Sequence, residues 1–434
     1  MTSITQTAGS VASAARLLPA LDLSRSPGPR LAAMAQDRTT CIQESTFLSF
    51  TVRHHASISE IDSADWNHLF EECAEDWGYF RACEIAQSQH FTFSAVAAYR
   101  NGKLVAAAPV FRLDYRLDMT LPERMKTIGN WLAKHAPRLT RIPVLGMGSP
   151  MTEECPIGIA AELVGDERQQ AVKALIHAME QHAAAEGIKI LAMKDVTDRD
   201  SQWVDAPLTK QGFARMASLP IATLPLPYAS FDGYIQSLPS KKRTDIRRKL
   251  KNAQGIETEL RDNIDDVYDE ILELYRATRA NRKASYEAFD EVPESYFREV
   301  MRLSEGKARV LLCRLGGRLV SFNFFIVEKD KLIGKFIGMD YDVARDRNLY
   351  FFNWMEITRY CIENGIKNLQ TGQTTYSVKV RLGCKLKRSW VYFKYTGAIL
   401  GPLVRRIAPR FSFEDADPEL GSLAGKLDYL APDA

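Results

Sequence analysis

The chain predicts an α/β (α+β) fold made of two copies of one domain, and three observations carry that expectation. The first is an echoed hairpin: residues 99–106 read Tyr-Arg-Asn-Gly-Lys-Leu-Val-Ala, and residues 315–321 read Leu-Gly-Gly-Arg-Leu-Val-Ser. In each, a two-residue turn (Asn101-Gly102, Gly316-Gly317) separates apolar runs, the strongest short-range hairpin signal. The second is that each hairpin leads to a helical stretch and then to a strand opened almost identically. These openings are Glu-Gly-Ile-Lys-Ile-Leu at 186–191 and Asn-Gly-Ile-Lys-Asn-Leu at 364–369. The third is length: 434 residues accommodate two domains of ~100–200 residues plus tails.

Composition narrows the class. The hydrophobic share of 46% supports ordinary cores, and no apolar run reaches the ~18 residues of a membrane span. A net charge of +3 gives no reason to expect a nucleic-acid partner. Seven cysteines are scattered without a Cys-x-x-Cys pair, which fits reduced thiols in a cytoplasm better than disulfides or a zinc site. The seven histidines end at His182. The second half therefore has no Ser-His-Asp or Cys-His set of its own and no histidine-ligated metal. Proton transfer there must use carboxylates, tyrosine, lysine, backbone or water.

In chain order, residues 1–44 are Ser/Thr/Ala-rich with four arginines and read as a disordered tail. A cleaved transit segment and an initiator at Met34 are the alternatives. The first domain, 45–227, opens with a strand at 49–54 and a capped helix from Ser57 or Ser63. The hairpin runs over 91–113, and an irregular stretch at 114–160 holds the Gly146/Gly148 segment. A helix at 166–185, a strand at 188–194 and a closing strand at 221–226 complete it. The second domain, 228–396, opens with a basic helix at 240–253. Amphipathic helices at 264–280 and 293–304 precede strands at 308–314, 319–327 and 331–339. A loop at 340–348, a helix at 349–364 and strands at 367–371 and 389–395 come next. Residues 397–434 form a C-terminal extension.

Three segments of the second domain are candidate sites. The basic helix carries seven Lys/Arg against one Asp. Lys242, Arg243 and Arg247 are its nominated phosphate ligands, since guanidinium forks match phosphate oxygens. The plain alternative is a solvated helix. In the 340–348 loop, Arg345, Arg347 and Asn348 flank a helix start, where backbone N–H groups favour an anion; an ordinary capped connection is the alternative. The hydroxyl-rich stretch 371–384 offers Tyr376, Lys379 and Arg381, with Lys379 and Arg381 expected to share strand parity. A solvated connection would explain it equally.

With these segments, "LPSKKRTDIRRKLKNA", "RVLLCRLGGRLVSFNFFI", "FIGMDYDVARDRN" and "TGQTTYSVKVRLGC", the chain resembles the GNAT superfamily. More narrowly it resembles the branch with two fused GNAT domains, the BioF2-like acetyltransferase domain and the FemABX-type aminoacyltransferases. The likeness is good over 230–395 and rests on element order alone in the first half. It implies two tandem GNAT-like domains, each a mixed, mostly antiparallel sheet flanked by helices. It further implies N-acyl transfer to the amine of a small-molecule or cell-envelope precursor. The donor it implies is a coenzyme A or carrier-protein thioester, so acyl-CoA is the expected co-substrate, with no metal and no nucleic-acid partner. Tyr376 is then expected as hydroxyl donor or acid, Lys379 and Arg381 as anion and oxyanion binders, and Asp340 as base or amine anchor. Against the family's phosphate loop, Asn348 and Tyr350 replace a glycine and a small residue, which disfavours close backbone approach. Two readings compete: aminoacyl-tRNA-dependent transfer of the peptidoglycan type, and a catalytically silent ligand-binding descendant. The helical arm that some FemABX enzymes use for tRNA is missing.

Overall fold

The two echoed turns form as their residues dictate. Asn101 and Gly102 have φ of 54° and 79°, and Gly316 and Gly317 have 58° and 83°. Positive φ at both central positions matches the twist of the flanking strands, and glycine and asparagine tolerate it at least cost. The computed structural model describes residues 44–71, 73–116, 141–281, 292–397, 406, 418–423 and 429–430. The expected tail 1–43, most of the C-terminal extension and the middle of the 114–160 stretch lie outside these residues.

The first half contains β1 (Glu44–Phe47), β2 (Phe50–His55), α1 (Ser63–Leu69), α2 (Trp77–Ala86), β3 (Phe91–Arg100) and β4 (Lys103–Arg116). It continues with β5 (Arg141–Met147), β6 (Gly158–Ile159), α3 (Gly165–Ala185), β7 (Ile190–Thr197), α4 (Asp198–Lys210) and β8 (Ala214–Ala217). Then come β9 (Ile221–Pro225), α5 (Phe231–Ser237), α6 (Ser240–Asn252), β10 (Ile256–Arg261), α7 (Tyr268–Ala280) and α8 (Ser295–Leu303). The chain goes on through β11 (Ala308–Leu315), β12 (Arg318–Val327), β13 (Lys331–Met339), α9 (Tyr341–Ala344) and α10 (Leu349–Glu363). It closes with β14 (Asn368–Gln370), α11 (Tyr376–Arg381), β15 (Lys385–Lys387) and β16 (Ser389–Tyr395).

Two sheets result. The first runs β1-β2-β3-β4-β5-β7-β16-β8, with β6 on β4; the second runs β10-β11-β12-β13-β14-β9-β15. Among the described residues each has a single parallel pair, β5 with β7 and β13 with β14. The chain therefore has the expected α/β (α+β) class, two mixed, mostly antiparallel sheets flanked by helices.

The strand assignments differ from expectation at both ends of the duplication. The strand expected to close the first domain, β9, pairs with β14 and β15 of the second sheet. The strand expected to end the second domain, β16, pairs with β7 and β8 of the first. Both are near-continuous apolar runs buried on two faces: Ala222, Leu224, Val391, Tyr392 and Phe393 are each at most 4% exposed. Such strands fit the interior of either sheet, so pattern cannot say which one they join. Part of the irregular stretch is the interior strand β5. The exposed, charge-alternating β10 was not expected at all; it is an edge strand, which explains its weak apolar signal.

The halves also meet through α2 and α8. Gly78 faces the Leu303 carbonyl so closely that a methyl group would collide with it. Tyr79 and Tyr296 join their hydroxyls at 2.9 Å beside Phe297, Phe324 and Phe336, whose rings stack edge to face.

Candidate active site between the two sheets

Helix α10 starts just after the 340–348 loop, which carries two of the nominated cations. Arg345 is exposed, and Arg347 reaches the carbonyls of Asn252 and Gln254 at 3.4 Å each. Helix α6 packs alongside α10, with Lys249 Nζ 3.2 Å from the centroid of the Phe351 ring. Arg247, Arg248 and Lys251 stay exposed on α6, while Ile246 is buried. The first turn of α10 holds no acid, and Asp346 lies just before it, between Arg345 and Arg347. Asn348 takes φ 53°, adopting the left-handed backbone that a glycine would occupy.

Other nominees are occupied elsewhere. Asp340 caps α9 by accepting from the Asp342 N–H at 2.9 Å and pairs with Arg318. Arg243 donates to the carbonyls of Gln236 and Leu238, at 3.2 and 2.7 Å, and closes the turn before its own helix. Lys242 is half-buried.

The 371–384 stretch corrects the expectation of strand parity. Residues Tyr376–Arg381 are helical, so Lys379 turns inward while Arg381 is exposed and bonds the Ser377 carbonyl at 2.6 Å. Lys379 is fully buried and donates to the carbonyls of Thr371 and Gly372. Burial pushes its pKa down to about 8 against the opposing pull of Glu153. The Tyr376 hydroxyl, also buried, donates to the Pro220 carbonyl at 2.8 Å. Gln373 and Ser389 both donate to the Leu219 carbonyl at 2.8 Å. The hydroxyl-rich stretch thus braces the 218–220 segment, where the chain crosses from the first sheet to the second.

Charged residues without a sequence-level mark of function form a buried seam around it. Between β5 and β6, the loop carrying Met151, Thr152, Glu153 and Glu154 lies against both sheets. Gln370 Nε2 donates to Glu153 Oε2 at 2.7 Å. Burial raises the Glu153 carboxyl, with Lys335 and Lys379 opposing. Lys335 pairs with Glu75 and donates to the Met151 carbonyl at 3.0 Å. Burial also raises the neighbouring Glu154 carboxyl, but Lys331 and Lys387 overcome that and hold it down to about 2. On the other side Lys194 pairs with Asp195 and donates to the Thr152 carbonyl at 2.9 Å, while Ser218 Oγ donates to Asp195 at 2.6 Å. A signal of burial existed: Lys194 and Asp195 are charges inside an otherwise apolar strand, and such residues are rarely buried without partners. A cleft of about 360 Å³ opens beside this seam, lined by Phe70, Cys73, Asp76, Lys307 and Glu328.

A family model described as peptidoglycan biosynthesis/recognition, FemAB-like, matches residues 57–398. The chain belongs to the FemAB-like family. No curated protein sequence matches this FemAB-like protein. Solved structures similar to it include FemX, with 11% identity, a TM-score of 0.47 and coverage of 73% of this chain and 91% of that one. A tandem GNAT protein from the clavulanic acid biosynthesis pathway has 13% identity, a TM-score of 0.46 and coverage of 80% and 99%. L-PGS from Bacillus licheniformis has 12% identity, a TM-score of 0.43 and coverage of 70% and 87%. No helix among the described residues is long and apolar enough to cross a membrane.

Proposed function

We propose that this FemAB-like protein is an N-acyltransferase that moves an acyl group from a phosphate-bearing thioester of the acyl-CoA type to the amine of a cell-envelope precursor. The observation that supports it is the charge at the start of α10. Arg345 and Arg347 precede a helix whose first turn holds no acid, and α6, which packs alongside, exposes Arg247 and Lys251. Aligned N–H groups and guanidinium donors together favour a phosphate by charge and geometry. The family description points the acceptor towards peptidoglycan chemistry.

In this reading the chemistry depends on placement and on oxyanion stabilisation more than on a strong side-chain catalyst. The edge of Gly334–Gly338, beside which no strand of the described residues lies, supplies backbone N–H groups for the oxyanion. Lys379 holds the turn at 371–372 in place, Tyr376 holds the 218–220 crossover, and Arg345 and Arg347 hold the donor. One observation favours an aminoacyl-tRNA donor instead: the cations of α6 extend over more surface than a single pyrophosphate requires. Thermal-shift titration with acetyl-CoA, longer acyl-CoAs and aminoacyl-tRNA decides between them. A ligand at 100 times its Kd stabilises by about 2.7 kcal/mol. A response to acyl-CoA supports the first reading and a response to aminoacyl-tRNA alone supports the second. Silence towards all of them removes both.

A further inference from the structure

Each sheet contains a place where its parallel strands part. The pairing of β13 with β14 covers Lys331–Ile333 against Asn368–Gln370 and stops. Residues Gly334–Met339 continue as strand with no strand of the described residues beside them on that side. In the first sheet, β5 and β7 pair over Val144–Met147 and Ile190–Met193, after which β7 runs on alone on that side. A parted strand edge presents backbone donors and acceptors, which suits a ligand that carries amide groups of its own.

One loop closes both gaps. In the first sheet the Cys155 N–H donates to the Asp195 carbonyl at 3.0 Å, and Lys194 donates to the Thr152 carbonyl at 2.9 Å. In the second, Met151 is held by Lys335 on the β13 side, and Glu153 is held by Gln370 on the β14 side. Gly372, at φ 87°, leaves just enough room: a Cβ there would sit 2.9 Å from Glu153 Oε1 and 3.6 Å from Lys379 Nζ. Glu153 is 6% exposed and has its charge set among buried lysines that come from the other half of the chain. Within the loop, Thr152 Oγ1 bonds the carbonyls of Ser149 and Glu154, at 3.3 and 2.9 Å. The loop is therefore braced internally as well as held by both sheets. Gly148, at φ 106°, begins it.

We propose that this loop is a gate on the gap in the second sheet, with Glu153 as its latch: while Glu153 bonds Gln370, the gap beyond Ile333 and Gln370 is shut to the acyl arm of the donor. The first half of the chain thereby controls access to the site carried by the second. The inference rests on the reading that the donor's arm lies in that gap.

Hydrogen exchange on the full chain, first without any ligand, tests the latch independently of that reading. E153L keeps a similar volume and removes the acceptor of this bond; Q370L removes its donor. Both are expected to speed exchange of the Thr152 and Cys155 amides at least tenfold, while the β3–β4 hairpin stays protected and the far-UV spectrum is unchanged. The double variant E153Q/Q370E restores an amide-to-carboxylate bond in reverse and is expected to return exchange to within about threefold of the parent. Unchanged exchange in the folded single variants, or no rescue in the double variant, overturns the gate. Acetyl-CoA titration comes second: E153L is expected to lower the donor Kd at least threefold. A normal donor Kd with kcat reduced places Glu153 in the chemistry and overturns its role as a latch. If no donor binds even the opened variant while the exchange results hold, the gate stands and the proposed donor falls.

Discussion

The helices α3 and α10 occupy corresponding places in the two halves, and their first turns carry opposite instructions. Helix α3 opens with Asp166 and Glu167, whereas α10 opens with no acid and is preceded by Arg345 and Arg347. Carboxylates at a helix start satisfy the dipole from within the chain, so an external anion finds the place taken. The bare start of α10 leaves the same positive end for a ligand. The two halves hold corresponding helix ends, and on the proposed reading side-chain charge leaves one of them to an anion. The comparison teaches that the backbone provides the potential and that one or two residues decide who uses it.

The largest effect expected from breaking this pair apart is loss of folding. Each sheet takes an interior strand from the other half, and burying a large apolar side chain contributes about 1.5–3 kcal/mol. Losing Val391, Tyr392 and Phe393, all buried in the first sheet, removes much of the ~5–15 kcal/mol that a domain commands. Residues 44–227 expressed alone are expected to give the circular dichroism of an unfolded chain and to regain structure on co-expression with the remainder. A folded, monomeric fragment would contradict the exchange of strands. Next in size is G78A, expected to lower stability by about 1–3 kcal/mol through overpacking against Leu303. A denaturant midpoint within error of the parent would show that the α2–α8 contact gives way freely.

Much of the scaffold was legible in the sequence because its signals are local. The hairpin turns need positive φ, and Asn101, Gly102, Gly316 and Gly317 advertise it. What could not be read is long-range: apolar strands such as β9 and β16 carry no mark of which sheet they join. The candidate site was legible only in part, for the same reason. Arg345 and Arg347 could be nominated because cations near a helix start are a sequence-level pattern, and Arg247 because it lies in a run of cations. Glu75, Glu153 and Lys335 were missed because they meet only after the halves dock. Tyr376 and Lys379 looked ligand-facing in a polar stretch, yet their partners are carbonyls of the crossover and of the turn, distant or unmarked in sequence.

A smaller effect sharpens the reassignment of Tyr376. Y376F removes a buried hydrogen bond to the Pro220 carbonyl and is expected to cost about 1–3 kcal/mol with turnover unchanged at saturating substrate. A hundredfold loss of kcat in a folded variant would return Tyr376 to the chemistry. The smallest effect separates the halves by pH. His54 and His182 stack at 3.5 Å in the first half, facing His55, Arg53, Glu186 and Arg112. Burial, then His182, then His55, lowers the His54 pKa from 6.5 to about 3. The fold therefore prefers the neutral ring. Its contribution is whole above pH 6.5 and is lost as pH falls towards 3. Urea midpoints measured from pH 7 to 4 are expected to fall less steeply in H54Q than in the parent; parallel curves would show that His54 is not the group responsible.

The central claim is that the second half alone offers the anion site, and donor affinity measured on two charge changes tests it most directly. By calorimetric titration with acetyl-CoA, R347E is expected to weaken binding at least tenfold, whereas D166N/E167Q at the start of α3 is expected to leave affinity within twofold of the parent. Unchanged binding in a folded R347E, or a second binding event created by D166N/E167Q at comparable affinity, would contradict the account.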